Sequence, residues 1–461
     1  MMRGYLTVFL SLSLSILIGF VLFLTGSSIR NAGKVRLEIA SDIGMNSVLA
    51  EFHKVLHDRY ALLYVDLSYL NKEPSISNME SRLHFYLSRN IDSCREDEPW
   101  GDVELKEVNI TGIITAVEGN GNSMKHQAVK YIQDSGIQRR EADVCGYLEM
   151  AGRLDERDVM EEWSMLQETI AGMELPQVKN QKGEWEEVPL GNPADGIFDM
   201  AGSDPLYLLR INPDNIHIGN IQKEKYISGR KIENMTKTEG IQIDDQLFLT
   251  YLFEKMGWYR DIKEGSLLLY QLEYIIQGAP SDYENLKAVA ERLIRWRFAV
   301  NTDYVMENTS IYEEAANMAE TLYAVQLKPE FKEPVTRSIL YACAYLETIA
   351  EVNCLFEGGY VEIEKSRWQT SIEQVSSGGI QYEFSGQGEL SYEQCLSCMM
   401  LLLPENIRNL RSMDIMEMDI RYLTGNSYFS MDWCVERYHA QIIAEGSFRD
   451  RYTLDRTYGF Y

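Results

Sequence analysis

Residues 5–24, YLTVFLSLSLSILIGFVLFL, contain no charged side chain and are the strongest structural signal in the sequence. At about 1.5 Å per residue, a helix of this length spans about 30 Å, which is the thickness of a bilayer core. The apolar part of a signal peptide is shorter, about 7–15 residues. The stretch therefore predicts an uncleaved transmembrane helix. The small residues at 25–28 leave cleavage open as the alternative.

The charges that flank this stretch bear on its orientation. The α-amine and Arg3 lie on one side of it, and Arg30, Lys34 and Arg36 lie on the other. Positive residues favour the cytoplasmic side, but long domains cross the membrane largely regardless of flanking charge. A tail of four residues is easily left behind. We therefore expect a single-pass plasma-membrane protein with its N-terminus inside and residues 26–461 outside.

Small residues mark one face of the predicted membrane helix. Ser11 and Ser15 are one turn apart, and Gly19 follows one turn later. Such a face is able to pack against a second membrane helix. The alternative is that the serines are simply tolerated there, and the sequence does not separate the two.

The composition describes an acidic, folded protein. Among the 461 residues, 44 Lys and Arg stand against 70 Asp and Glu, a net charge of −26, which repels phosphate and excludes nucleic acid as an expected partner. A hydrophobic content of 45% excludes disorder as the main state. An odd number of cysteines, seven, cannot pair fully within one chain and does not settle the compartment.

The pattern after the membrane stretch predicts a helix-rich α+β fold with small antiparallel sheets. Apolar spacings of three and four continue the first helix to about residue 58. A strand at 60–67, a helix at 79–88 and a strand at 102–117 follow, and a break of alternation at Lys106 and Glu107 predicts a bulge in that second strand. The turn at 119–122 then leads into a helix that starts near Met124.

The rest of the chain is predicted to be mostly helical. The periodicity indicates one helical region at 140–172, and Ser281 with Asp282 would cap a later helix. Alternation of Tyr438, Ala440, Ile442 and Ala444 predicts a final strand. The further helices are expected at 244–257, 282–306, 311–325, 335–356, 391–403 and 405–422.

Four of the eleven prolines fall at 174–205, which marks a linker or long loop. The predicted organisation is therefore a tail and anchor at 1–25, and a membrane-proximal long helix with a small α/β region at 26–173. The linker at 174–205 comes next, before a helix-rich region at 206–461 that ends in a strand.

Cys395 and Cys398 have the spacing of a redox or metal-binding pair. A zinc site needs further ligands, and Cys434 and His439 are the nearest candidates. The surrounding residues are apolar, Leu396 and residues 399–403. We therefore interpret the pair as core residues of a buried helix, with a disulfide, local or to Cys434, as the alternative.

Two other patterns are typical of binding sites but have simpler explanations. His53 and His57 are one helical turn apart, but Lys54 stands where a metalloprotease carries its catalytic Glu and Asp58 is the adjacent carboxylate, so we interpret both histidines as exposed helix residues. Residues 119–124, GNGNSM, resemble a dinucleotide fingerprint until Met124 replaces its third glycine. We interpret that segment as a turn and a helix cap.

Scattered stretches of the chain together resemble one uncharacterised family. They are RGYLTVFLSL (3–12), VLAEF (48–52), YALLYVD (60–66), LEYIIQG (272–278), ENL (284–286), Arg297 with Asn301, LSYE (390–393) and DWC (432–434). The family that they resemble consists of single-pass membrane proteins of Gram-positive bacteria, often encoded beside tight-adherence (Flp-type) pilus genes. The resemblance implies an N-terminus like that of minor pilin-like subunits, although Phe9 stands where prepilins carry a Glu.

The sequence thus favours a structural or assembly accessory of a pilus-like surface apparatus. Its expected partners are the membrane and other surface-assembly proteins, which it would contact through the N-terminal helix. The alternative from another class is an anchored extracellular binding or sensor module for a cationic ligand or a wall component. No catalytic, cofactor-binding or metal-binding residue is predicted, and we expect no enzyme activity and no cofactor.

Overall fold

The structure is a computed structural model that describes residues 2–70, 72–97, 102–137, 144–211, 216, 221–230, 243–382, 386 and 388–460. The chain forms two compact units. Unit 1 comprises Met1–Asp134, Glu224–Arg230 and Met416–Tyr461. Unit 2 comprises Ser135–Lys223 and Lys231–Ile415. As predicted, the fold is helix-rich α+β with small antiparallel sheets and an apolar N-terminal helix.

Helices dominate both units. In chain order they are α1 (Met2–Leu49), α2 (Lys54–Tyr60), α3 (Ile76–Asp97), α4 (Glu118–Ser135), α5 (Val144–Asp155), α6 (Val159–Ala171), α7 (Asp195–Ala201), α8 (Pro205–Leu208), α9 (Lys223–Tyr226), α10 (Ile243–Lys255), α11 (Gln271–Gln277), α12 (Asp282–Glu307), α13 (Thr309–Thr321), α14 (Tyr323–Leu327), α15 (Lys332–Glu357), α16 (Ile372–Ser377), α17 (Tyr392–Leu402) and α18 (Glu405–Thr424). The strands are β1 (Val65–Asp66), β2 (Val103–Thr115), β3 (Gln177–Lys179), β4 (Trp185–Glu187), β5 (Tyr360–Val361), β6 (Leu390–Ser391), β7 (Cys434–Gly446) and β8 (Arg451–Gly459).

The first helix is shorter than predicted. It ends at Leu49, and α2 starts only at Lys54. His53 is extended and caps α2, because its Nδ1 accepts a hydrogen bond from the backbone N–H of Leu56 at 3.1 Å. The prediction of one helix to residue 58 is therefore wrong. Apolar residues keep a spacing of three and four across the break between α1 and α2. Hydrophobic periodicity alone therefore does not show where one helix ends and the next is capped.

The sheet of unit 1 is built around β7, which pairs antiparallel with β1, β2 and β8. The bulge is confirmed, because the β2–β7 register passes from Leu105 opposite Ala444 to Glu107 opposite Ile443 and skips Lys106. The strand predicted from Tyr438 to Ala444 is also confirmed, as β7, but it is not the last strand of the chain. The strand predicted at 60–67 is wrong except for Val65–Asp66, and β8 was not predicted at all.

The core of unit 1 lies between this sheet and two helices. Tyr438, Ala440, Ile442 and Ala444, which alternate along β7, are buried, as the period of two requires of one sheet face. They join one apolar cluster with buried residues of α1 and α3, among them Leu37, Met45, Val48, Leu83 and Leu87. Each fully buried side chain of this size stabilises the fold by about 1.5–3 kcal/mol relative to exposure.

Unit 2 is a helical body around α12 and α15, each of 26 residues. The predicted helices of this region are confirmed within a few residues except the one at 311–325, which breaks at the extended Leu322 into α13 and α14. The cap at Ser281 is also confirmed, because its side chain accepts from Glu284 N–H. The helical region predicted at 140–172 is two helices, α5 and α6. Asp158 ends the continuity because it caps α6 through Glu161 N–H, and residues 140–143 lie outside the described residues.

Residues 174–205 contain regular structure. They form the exposed hairpin β3–β4, then α7 and the start of α8, all within unit 2. The compact units divide the chain elsewhere, near Asp134. The ease of cleavage that a linker would show remains a prediction.

Candidate functional site

No other part of the described chain covers the apolar first half of α1. Every described side chain at positions 5–25 is exposed, and this helix is long and apolar enough to cross a membrane. Pro329–Glu357 passes the same test of length and composition, but its apolar window is completely buried, as expected of the core helix of unit 2.

The small face of α1 satisfies its own polar groups. Ser11 Oγ donates to Val8 O at 2.9 Å, and Ser15 Oγ donates to Ser11 O at 2.8 Å. Such bonds to the preceding turn explain how a serine is tolerated in an apolar helix. A Cβ at Gly19 would meet no atom within 4 Å, so nothing in the described part of the chain packs on this face there.

The second half of α1 has two different faces. Leu37, Met45 and Val48 are buried in the core of unit 1. On the opposite side Val35, Ile39 and Ile43, four residues apart, remain 51%, 55% and 47% exposed. We call these three residues the apolar stripe. It lies beyond residues 5–24, from which the polar residues Ser27, Ser28 and Asn31 separate it.

Tyrosines attach α1 to the sheet along its length. Tyr452 Oη donates to Arg30 O at 3.1 Å, and Tyr458 Oη donates to Asp42 Oδ1 at 2.7 Å. Arg30 also pairs with Asp450 at 2.7 Å. These contacts join α1 to β8 and to the turn before it.

A cleft of about 550 Å³ opens in unit 1 beyond the C-terminal end of α1. Its walls come from the chain between α1 and α2, the turn after β1, the first turns of α3 and the end of α18. The volume lies within the range of small-molecule sites.

His53 forms part of the wall of this cleft. Its side chain is buried, at 8% exposure, and its ring lies 4.9 Å from that of Phe429. Burial lowers the pKa of His53, against the opposing attraction of the Asp66 carboxylate, so that the ring is neutral near pH 7. Because Nδ1 accepts from Leu56 N–H, the ring proton is on Nε2. No described residue accepts a hydrogen bond from Nε2.

A buried polar cluster lies beside the histidine. Asp66 accepts from Ser68 N–H at 2.9 Å and from Ser68 Oγ at 2.5 Å, and Asn426 Nδ2 donates to Ser68 Oγ at 2.8 Å. Burial raises the pKa of Asp66, and the hydrogen bonds from Ser68 oppose the rise. The carboxylate is thus held by its own turn.

Tyr69 and Leu70 continue this turn in an unfavourable backbone conformation. Their φ angles are 41° and 65°, a region that residues with a Cβ rarely adopt. Such strained residues cluster at ligand sites and switches. Tyr69 Oη is buried with no hydrogen-bond partner among the described residues, and burial raises the pKa of this phenol, which therefore keeps its proton.

The rim of the cleft is positively charged in a strongly acidic protein. Arg82 pairs with Glu51, which also accepts from Tyr86 Oη at 2.6 Å. The ammonium groups of Lys54 and Lys72, both exposed, form no ion pair within the described part of the chain. Lys54 and Lys72 therefore border the cleft together with Arg82 and with the two carboxylates of Glu51 and Asp66.

The structure separates the cysteine candidates. Cys395 and Cys398 are fully buried in α17 of unit 2, and burial raises the pKa of Cys395 to about 12. Cys434 and His439 belong to unit 1 and lie five residues apart on β7, so their side chains point to opposite faces. Cys434 is buried, whereas His439 is partly exposed and bonds through Nδ1 to Thr457 Oγ1 at 2.8 Å.

The other two candidates are also located. The expectation of two exposed helix histidines is wrong for His53, which is buried and precedes α2. His57 lies in α2 and is partly exposed, with its Nδ1 3.6 Å from Asp58 Oδ1. Gly119, Asn120 and Gly121 all have positive φ, so the segment that resembles a nucleotide fingerprint is a left-handed turn before a helix, as predicted.

Sequence reasoning missed most of the cleft. It named His53 but not Asp66, Ser68, Tyr69 or Asn426. The available signal was Asp66 itself, a charged residue that closes the apolar run at 60–65. A buried charge is costly unless it is paired or hydrogen-bonded, so a charged residue within an apolar run indicates either a backbone cap or a functional site.

Several of the stretches that carry the family resemblance meet in buried polar pairs of unit 2. Arg297 Nε and Asn301 Nδ2 both donate to Glu351 Oε2, at 2.8 and 2.9 Å. Tyr392 Oη donates to Glu273 Oε1 at 2.9 Å. These side chains are buried at no more than 1% exposure, so their contacts specify the fold rather than a surface site.

Comparison with known proteins gives one match. A model described as a family of unknown function (DUF5702) matches residues 183–446, more than half of the chain. No curated protein and no solved structure matches.

Proposed function

We propose that this chain, which belongs to the family of unknown function DUF5702, is a single-pass membrane protein that acts as a structural or assembly accessory of a pilus-like surface apparatus. Its N-terminus would be inside the cell and residues 26–461 outside. Residues 5–24 anchor it, and α1 is the element through which it contacts other assembly proteins.

The apolar stripe is the observation that carries this proposal. Val35, Ile39 and Ile43 are about half exposed although they lie beyond the length of helix that a bilayer covers. A row of apolar side chains at helical spacing, next to the membrane, suits a second helix that crosses the bilayer beside α1. The tyrosine contacts to Arg30 and Asp42 support the same role, because they hold the stripe in a fixed position on unit 1.

A photo-crosslinking amino acid at Ile39 tests the proposal in intact cells. We expect a specific adduct with a pilus or pilus-assembly protein, identified by mass spectrometry. The matched control is the same amino acid at Glu186, an exposed position on β4, which should give no such adduct. Adducts with lipid alone at Ile39 would contradict the assembly role.

Orientation has its own test. A protease added to wall-stripped cells should digest the chain after Gly26. Complete protection in intact cells, with digestion only after lysis, would reverse the proposed orientation. Replacing Leu14 and Leu17 by Arg should abolish insertion, because each charge at the bilayer centre costs about 2.5–3.5 kcal/mol.

A binding role is the second candidate, and the cleft beside His53 favours it. Its lysines do not suit the cationic ligand that the acidic composition suggested. The lysines that border the cleft favour an anionic ligand, whereas the net charge of the whole chain favours a cationic one. At close range the nearby charges have the larger effect on binding.

A further inference from the structure

We propose that the turn between β7 and β8, residues 447–450, is a second membrane contact of this chain. At this β7–β8 turn the ring of Phe448 enters the headgroup layer, and Arg449 and Arg451 bind the phosphate of an anionic phospholipid. The inference rests on the membrane anchor of the proposed function, residues 5–24, but it does not depend on the assembly role.

The hairpin of β7 and β8 runs along α1 with its turn toward the membrane segment. Tyr452 Oη, at the start of β8, donates to Arg30 O, and Tyr458 Oη, near its end, donates to Asp42 Oδ1. The helix from Arg30 to Asp42 is about 18 Å long, and the strand from Tyr452 to Tyr458 is about 20 Å long. Because the two lengths agree, β8 follows α1 in the same direction, and the turn that precedes β8 lies on the side of residues 5–24.

The β7–β8 turn also lies at the depth where the bilayer would end. Ser27 and Ile29 are the first described side chains after the apolar stretch that are partly covered, so the body of unit 1 begins beside α1 there. Arg30 is about 9 Å beyond Leu24 along the helix. A headgroup layer extends about 5–7 Å beyond the hydrocarbon core. The turn, on the membrane side of Tyr452, therefore faces the headgroups of the bilayer that α1 would cross.

Phe448 is the apolar group of this turn. It is 50% exposed, and the guanidinium carbon of Arg30 lies 5.4 Å from the centroid of its ring, which holds the ring beside α1. Single exposed apolar side chains are common on protein surfaces, so exposure alone carries no argument. The position of Phe448 at the membrane end of the hairpin does, because aromatic rings are favoured at the boundary between headgroups and acyl chains.

Two acidic side chains near the turn already have basic partners. Asp450 pairs with Arg30 at 2.7 Å. Glu445 lies opposite Arg451 in the antiparallel pair of β7 and β8, but its ion pair is with Lys106, at 3.6 Å. Neither carboxylate is therefore the ion-pair partner of an arginine at the tip of the hairpin.

Two arginines are available to contact lipid. Arg449 and Arg451 are exposed and form no ion pair among the described residues, although Asp102 lies beside the same turn, where its backbone oxygen accepts from Ser447 Oγ at 3.2 Å. Two arginines do not make a binding site by themselves. Here they belong to a turn that faces the bilayer, and they determine which headgroup it prefers, because basic side chains next to a membrane segment attract anionic lipids.

Photo-crosslinking in bilayers of defined composition tests the contact. The full chain is reconstituted into nanodiscs that contain phosphatidylcholine and phosphatidylglycerol. The photoreactive amino acid p-benzoylphenylalanine is placed at Phe448, Phe85 or Phe20 in separate samples, and lipid adducts are identified by mass spectrometry. Phe20, within the membrane segment and 61% exposed, reports on the anchor itself.

Phe85 is the matched control for Phe448. It also belongs to unit 1, it is 46% exposed, and the guanidinium carbon of Arg82 lies 5.7 Å from its ring centroid. Its neighbour in α3, Leu87, packs at Gly44, which is about 30 Å beyond Leu24 along α1. The two phenylalanines therefore differ mainly in their distance from the membrane segment.

We expect lipid adducts at Phe448 and Phe20 and none at Phe85. Arg449→Asn should lower the ratio of phosphatidylglycerol to phosphatidylcholine adducts at Phe448 about fivefold, which corresponds to about 1 kcal/mol for one basic residue near an anionic surface. Asparagine tolerates the φ of 61° at this position, so the turn is kept. Lys54→Gln, which removes an exposed positive charge at the other end of unit 1, should leave the ratio unchanged.

Three outcomes would overturn the inference. Lipid adducts at Phe20 with none at Phe448 would leave the anchor in place and show that the turn does not touch the membrane. An adduct ratio at Phe448 that is the same in Arg449→Asn as in the natural chain would exclude the preference for anionic lipid. The absence of lipid adducts at Phe20 would contradict the anchor of the proposed function, and the membrane contact of the turn would be excluded with it.

Discussion

The hydroxyl of Tyr438 donates a hydrogen bond to the backbone carbonyl oxygen of Met45 across 3.0 Å. Tyr438 lies on β7 and Met45 on α1, at almost opposite ends of the sequence, and both side chains are buried. The bond joins the apolar N-terminal helix to the central strand of unit 1. The packing of α1 in unit 1 therefore depends on the C-terminal part of the chain.

Removal of the Tyr438 hydroxyl should lower the stability of the protein by a measurable amount. Tyr438→Phe keeps the packed ring and deletes one buried hydrogen bond, so we expect the free energy of unfolding to fall by about 1 kcal/mol. Urea unfolding of the full chain in detergent, followed by near-UV circular dichroism, measures it. Tyr458→Phe is the control, because its bond to Asp42 is exposed and should contribute less. Equal losses of unfolding free energy in the two variants would mean that burial does not strengthen the Tyr438 hydrogen bond.

Close packing of α1 against α3 at Gly44 leads to a second prediction. A Cβ built at Gly44 lies 3.0 Å from Leu87 Cδ2, so a leucine there overpacks the interface. Gly44→Leu should lower the free energy of unfolding by about 1–3 kcal/mol. Gly19→Leu is the matched control in the same helix, because no atom lies within 4 Å of its Cβ position. Thermal unfolding of both variants in detergent distinguishes them, and a stable Gly44→Leu would mean that the two helices separate easily.

Local patterns in the sequence predict the helices of this protein well. Each of α10, α12, α15, α17 and α18 begins within three residues of its predicted start, because an apolar face at a spacing of 3.6 and a capping serine or acid act within one segment. The bulge at Lys106 was predictable for the same reason, because the alternation of apolar and polar residues is interrupted at the bulge itself.

Features that depend on distant partners were not predictable. The run at 60–67 is apolar except for Asp66, yet only Val65 and Asp66 pair with a strand. In this antiparallel register residues 60–64 would lie opposite 436–440, where β7 already pairs with β2 and β8. The break before His53 is invisible because histidine is not among the preferred capping residues. The polar cluster beside the cleft depends on Asp66, Ser68 and Asn426, whose proximity follows only from the fold of unit 1.

The buried cysteines of α17 allow a chemical test. Cys395 and Cys398 have no exposed surface, and the raised pKa of Cys395, about 12, keeps that thiol protonated at neutral pH. Both should resist alkylation in the native protein and react after denaturation, as measured by mass spectrometry. Replacing both by Ala should cost about 1–2 kcal/mol each through lost packing. Stoichiometric zinc that disappears in the double variant would contradict this interpretation.

Limited proteolysis tests the segment predicted as a linker. Residues 180–183 form the exposed turn between β3 and β4, with Gly183 at a φ of 83°. Short exposed hairpins open easily, so trypsin should cut first after Lys179 or Lys182. Arg replacement of Lys182 keeps the site and Lys182→Gln removes one of the two, which identifies the cut. First cuts elsewhere in unit 2 would show that this hairpin is held firmly.

Glu273 should make the stability of the protein depend on pH. Burial, with a smaller repulsion from Asp282, raises its pKa to about 7, although Tyr259 N–H and Tyr392 Oη both donate to Oε1. Oε2 has no partner among the described residues and is the oxygen that holds the proton. The unfolded chain releases this proton near its ordinary pKa of 4.5. Between about pH 4.5 and 7 the folded state therefore binds more protons, and the free energy of unfolding falls as pH rises.

Glu273→Gln should remove this contribution, because its amide mimics the protonated carboxyl and keeps an acceptor for Tyr392. Near pH 4.5 we expect the variant and the natural chain to be similar. At pH 8 the variant should be more stable by up to about 3 kcal/mol, the free energy that corresponds to this change of pKa. Urea unfolding at several pH values measures the difference, with Glu254→Gln at an exposed position of α10 as control. A difference that stays constant from pH 4.5 to 8 would mean that Glu273 is ionised in the folded protein, with its charge balanced by the donors at Oε1.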